Sequence, residues 1–159
     1  MRKFAIELKW GIIFFAISLL WMVFENLMGW HGELISKHAV YTNFFVIPAV
    51  IMYVIALREK RNKALGGLMT WKQGFIAGVV IALVVAVLSP LGQLITHLYV
   101  APEYFPNVID YSVESGKMTR QAAEAWFNLT SYIIQSVVGA LVMGVATGAI
   151  VALFVKKGE

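Results

Sequence analysis

The chain has 159 residues, of which 60% are hydrophobic and only 14% charged, with a formal net charge of +4 and no cysteine. A soluble domain usually carries about a quarter charged residues, and the missing thiols exclude disulfides, thiolate catalysis and cysteine-type zinc sites. A mean hydropathy of +0.76 and a pI near 9.4 point instead to a basic membrane protein.

The apolar residues fall into four blocks, approximately 10–29, 39–57, 73–99 and 129–155. Each is about long enough for a helix to cross a hydrocarbon layer of roughly 30 Å. A soluble helix of that length would show a polar stripe. In FIAGVVIALVVAVL, positions 75–88, no face carries a polar or charged side chain. The expected fold is an all-α integral membrane protein, a single domain over 1–159 with four transmembrane helices in an up-down bundle.

The first span opens at Lys9-Trp10, a snorkelling cation beside an interfacial aromatic. Its apolar run is too long for a signal-peptide core, and no small-x-small cleavage site follows, so it reads as a retained helix. A short link holding His31, Glu33, Lys37 and His38 leads to the second span, where Pro48 frees the carbonyl of Phe44. Gly66-Gly67 turns the basic loop that follows. The third span rises roughly 40 Å at about 1.5 Å per residue, so it must tilt or protrude, with Ser89-Pro90 the natural bend. Positions 102–116 place Tyr104, Phe105, Val108, Ile109 and Val113 at helical spacing, ended by Gly116. This outer segment reads as an amphipathic helix on the leaflet, or as a lid over an outer cavity. Thr119 is the expected N-cap of the stretch entering span 4.

Charge sets the expected orientation. Arg2, Lys3, Lys9, Arg58, Lys60, Arg61, Lys63, Lys72, Lys156 and Lys157 share one side, against Lys37, Lys117 and Arg120 on the other. The positive-inside rule then places both termini in the cytoplasm. Anionic lipid is the natural partner of these cations. No nucleic-acid module accompanies them, so no nucleic-acid partner is expected.

Small residues recur every fourth position, as Gly74, Gly78, Ala82 and Ala86 in span 3 and Ser136, Ala140, Gly144, Gly148 and Ala152 in span 4. Such stripes let helix backbones approach closely. Packing of span 3 on span 4 is the simpler reading; the alternative is a homodimer or larger membrane complex.

Glu25 is the one acidic residue well inside an apolar block, about 22 Å along the helix from Trp10. A carboxylate facing lipid there is costly, so it must face the bundle, reach water or hold a proton. Polar groups of the other spans share its level: His38 and Asn43, then Gln93 and His97, then Gln135. Two readings fit this layer, an interhelical hydrogen-bond network and a ligand- or proton-binding site, with Glu25 as acceptor or proton carrier. Outer halves that are polar over featureless inner halves suit an outward-facing vestibule better than a conduit. His31 and His38 with Glu33 have metal-ligand side chains, but their spacing matches no motif, and no metal or other cofactor is expected. Phosphate loops, G-x-S-x-G elbows and HExxH pairs are absent.

The segments FAIELKWGIIF, KHAVYTNFF, MTWKQGF, LSPLGQ, APEYFPNVI and ESGKMTRQAAEAWFNLTSYI together resemble a family of small bacterial integral membrane proteins catalogued only as a domain of unknown function. The resemblance covers nearly the whole chain. It implies a four-span inner-membrane protein and brings no activity, cofactor or catalytic residue with it. The expected function is non-enzymatic binding of a lipid, small molecule or partner protein. A proton-coupled transporter or channel subunit using Glu25 and a lipid-modifying enzyme are the alternatives.

Overall fold

The computed structural model describes residues 4–158 and contains seven α-helices among them. In chain order these are α1 (Ala5–Leu27), α2 (Ile35–Tyr41), α3 (Val46–Glu59), α4 (Trp71–Ile95), α5 (Tyr104–Glu114), α6 (Arg120–Trp126) and α7 (Leu129–Val155). A 3-10 turn over Thr42–Phe45 joins α2 to α3. Single π-type turns extend α3 through Ala64 and α4 through Val100. Four stretches are thereby long and apolar enough to cross a membrane: Ala5–Leu27, Ile35–Ala64, Trp71–Val100 and Leu129–Val155. The chain is an all-helical, multi-pass membrane protein. Its exterior fits that solvent, with Leu27, Val87, Tyr99 and Phe154 each at least 77% exposed.

Two spans begin earlier than their hydropathy indicates. The first starts at Ala5, because the charges that seemed to flank it are paired with α3 and the turn that extends it, Glu7 in a buried pair and Lys9 in an exposed one. Lys60 Nζ lies 2.7 Å from Glu7 Oε1, and Lys9 Nζ bonds Glu59 Oε2. The second starts at Ile35, with the 3-10 turn placed just before Pro48 so that the missing N–H falls in the first turn of α3. Pro90 lies within α4, which continues beyond it to Ile95. Helix starts follow local chemistry. Thr70 and Gln73 form a reciprocal capping box on α4, and Thr119 and Asn128 cap α6 and α7.

One end of the bundle is held by backbone contact between α4 and α7. A Cβ built on Gly78 would stand 2.7 Å from the Cα of Gly148, and one on Gly144 would stand 2.7 Å from the Cβ of Ala82. Ala152 packs against Gly74 in the same register. Tyr53 of α3 lays its ring against the Gly78–Gly148 crossing and meets Phe14 edge-on. Around this seam lies the main core, formed with Ala56, Leu57, Met69, Ile81 and Val151. The same end carries the start of α1 and the end of α7: Met69 and Lys157 exchange two backbone hydrogen bonds of 2.9 Å, and Arg61 donates to the Val155 carbonyl. A smaller core of Ala101, Tyr104 and Val108 closes the opposite end, backed by Ile35, Phe105, Phe127 and Tyr132.

The seam makes a strong demand on side-chain size. Gly78→Val should lower stability by about 1–3 kcal/mol or more, since the clash is with backbone that cannot rotate away. Gly139→Ala, where an added Cβ meets nothing within 4 Å, should be neutral or stabilise by up to about 1 kcal/mol. Thermal unfolding of both variants in the same detergent checks the contrast; a Gly78→Val protein as stable as the parent would contradict it.

Candidate functional site

At the end opposite the seam, the chain folds a buried carboxylate under two imidazoles. The device is the helix terminus in FENLMGW. Gly29, at φ +75°, lets its own N–H reach the Asn26 carbonyl and that of Trp30 reach the Glu25 carbonyl. This is a Schellman stop, completed by the edge-on contact of the Trp30 ring with Phe24. The reversal carries His31 back over the end of α1. Its Nε2 sits 3.0 Å from Glu25 Oε2, while Trp21, one turn earlier on α1, donates its indole N–H to Glu25 Oε1. From α2, His38 brings Nδ1 to 3.5 Å of Glu25 Oε2.

Glu25 is 0% exposed. It stands in no open mouth. Tyr104, at the start of α5, roofs the cluster, with ring centroids 5.3 Å from His31 and 5.2 Å from His38. The roof is anchored, because Asn107 donates to the His31 carbonyl and Asn26 donates to the Val100 carbonyl. The Tyr104 and Tyr132 hydroxyls share a hydrogen bond of 2.9 Å. Burial pushes the Tyr104 phenol above the ordinary tyrosine range, and Tyr132 and Glu25 add to the effect. The 102–116 segment therefore packs down on the bundle through Tyr104, Val108 and Ser112, as a lid does.

Between lid and seam, a cavity of about 360 Å³ opens among α1, α3, α4 and α7. Its wall is largely apolar, with Phe14, Phe15, Leu19, Met22, Phe45 and Met143. Three serines line it too, but Ser18, Ser89 and Ser136 each spend their hydroxyl on a carbonyl of their own helix, three residues back. Polar groups gather at the lid end, where Thr42, Asn43, Gln93 and Thr96 form a collar. The shape is a greasy pocket with one polar end.

A family model described as a protein of unknown function (DUF4199) matches residues 9–157. The chain belongs to this family. No curated protein matches the chain, and no solved structure does either. Family membership accordingly leaves the chemistry to be read from the residues themselves.

Of the residues singled out in the sequence, Glu25 and His38 meet directly. His97 belongs to the same aromatic cluster without touching Glu25: its Nε2 pairs with Gln93 Oε1 at 3.1 Å, and its ring stacks on Phe105 at 4.2 Å. Asn43 and Gln93 face the cavity instead. Gln135 lies apart, exposed on α7, because the four-residue stripe that turns Ser136 and Ala140 inward turns its neighbour outward. Gly74, Gly78, Ala82, Gly144 and Gly148 lie in the seam, and Ala140 lies just beyond it on the cavity wall.

Two pairings escaped the sequence reading. His31 pairs with Glu25 and not with the exposed Glu33; the signal was Gly29, whose left-handed turn reverses the chain. Glu7, 1% exposed, is a second buried carboxylate at the seam end. It shares a helix face with Gly11, which abuts Val84 of α4. Glu7→Ala leaves the Lys60 ammonium, only 12% exposed, without that carboxylate and should cost about 3–5 kcal/mol. Lys63→Ala breaks an exposed pair with Glu59 and should cost about 0–1 kcal/mol. Chemical denaturation in detergent should separate the two, and equal losses would show that the Glu7–Lys60 pair is solvated.

Proposed function

We propose that this protein is a non-enzymatic membrane protein that binds one amphiphilic molecule, a lipid or a small molecule with a hydrocarbon tail, in the cavity between seam and lid. The observation that carries the reading is the cavity itself. About 360 Å³ lies within the range of ligand pockets, roughly 300–1,000 Å³, and most of them are apolar with a few placed polar groups. The tail would lie along Phe15, Leu19 and Met143, and the polar end would meet Asn43, Gln93 and Thr96. A packed Gly/Ala floor beneath supports binding over passage, because a conduit needs a polar path through both halves.

The charge pattern supports a bacterial inner-membrane placement with the seam end, both termini and the basic Arg58–Lys72 loop in the cytoplasm. The lid would then face outward. Membrane lipid is the first partner on this reading, and the exposed apolar sides of the bundle leave room for a second copy or a larger complex. Glu25, fully buried between two imidazoles, is the one feature that favours proton coupling as a second reading.

Native mass spectrometry of the purified protein tests the first reading. The parent should retain one lipid or lipophile per chain through detergent exchange. Ala140→Phe, which fills the cavity, should lose it; Val138→Phe, on the exposed side of the same helix, should keep it. Equal retention by both variants would remove the cavity from consideration.

A further inference from the structure

The chemistry of the Glu25 cluster goes beyond ligand binding in the cavity. One donor atom from each of Glu25, His31 and His38 lies within 4.8 Å of the others. The two separations to Glu25 Oε2 are 3.0 and 3.5 Å. In a tetrahedral zinc site with bonds near 2.0–2.1 Å, neighbouring donors stand roughly 3.3 Å apart. Two of the three separations thus already match a shared ion, and the third is no more than 4.8 Å.

Internal hydrogen bonding leaves this cluster unsatisfied. His38 Nδ1 is buried with no hydrogen-bond partner, although it faces Glu25 Oε2. A proton held between Glu25 and His31 serves that pair alone and leaves His38 Nδ1 orphaned. A divalent ion engages all three donors at once. The carboxylate is also oriented from behind by the Trp21 indole, the kind of outer support that holds a ligand in place for a metal.

We propose that Glu25, His31 and His38 bind one divalent transition-metal ion of the zinc class. Two imidazoles and a carboxylate suit such an ion better than calcium or magnesium, which take oxygen donors. The three ligands come from the end of α1, the reversing loop and α2, so the ion clasps the first two spans together beneath the Tyr104 roof. The cavity reading stands or falls separately, since none of the three ligands lines the cavity.

The test uses the full chain in detergent, free of any polyhistidine tag and stripped with chelator, then titrated with Co²⁺ and challenged with Zn²⁺. One Co²⁺ per chain should bind with the visible absorption of a low-coordinate site and be displaced by Zn²⁺, which should also raise the thermal unfolding temperature. His38→Ala, at the more exposed edge of the cluster, should fold and bind at least tenfold more weakly. His97→Gln, outside the donor set, should bind like the parent. If His38→Ala proves unstable, His38→Gln replaces it, with the unfolding temperature in chelator as the check on folding. Absence of saturable binding in the parent, or equal affinity in the parent and the folded His38 variant, would overturn the site.

Discussion

Contact between two helix backbones underlies everything else in this bundle. In lipid, apolar side chains gain little by leaving one hydrocarbon environment for another, so helices associate through close packing and polar contacts. Gly78 against Gly148, with Gly144 against Ala82, brings α4 and α7 together where no larger side chain fits. Tyr53 then seals the crossing from α3. The cavity is the counterpart of this tightness: beside the seam, the space among α1, α3, α4 and α7 is lined by larger side chains such as Phe15, Met22 and Met143, which leave part of it unfilled.

The two buried carboxylates are handled differently. Glu7 meets a lysine ammonium, which neutralises it directly. Glu25 meets an indole and two imidazoles, a softer set whose net charge depends on what else is bound. Ion pairing of the first kind holds two spans together at fixed charge. An arrangement of the second kind leaves electrostatic demand in a sealed place, and that demand makes the lid end chemically distinct from the seam end.

Much of this architecture was readable from residue order. Four uninterrupted apolar runs define the spans, and the four-residue recurrence of glycine and alanine predicts which pair packs, because both signals come from single helices. Glu25 stood out for the same reason, as a charge in an apolar run. What could not be read was which groups converge from different elements. His31 approaches Glu25 only because Gly29 adopts a positive φ, and spacing alone does not tell that turn from a looser one. Glu7 was hidden by its neighbours: beside Lys9 it looks like a wetted flank, and only Lys60, more than fifty residues on, brings it inside. The segment around Tyr104 carried an apolar face that suited leaflet or lid equally well, and its attachment to the bundle, by the hydrogen bond from Asn107 to the His31 carbonyl, is a contact between distant elements that no local pattern signals.

The Glu25 cluster draws its three titratable members from one short stretch of chain, with only thirteen positions from the carboxylate to the second imidazole. During synthesis, therefore, Glu25 can meet both imidazoles as soon as the first hairpin enters the bilayer, before Tyr104 arrives to roof them. The seam and the cavity have no such head start, because Gly148 follows His38 by more than a hundred residues. Assembly would thus proceed from an early pairing of Glu25 with its imidazoles to a pocket completed only when α7 packs on α4.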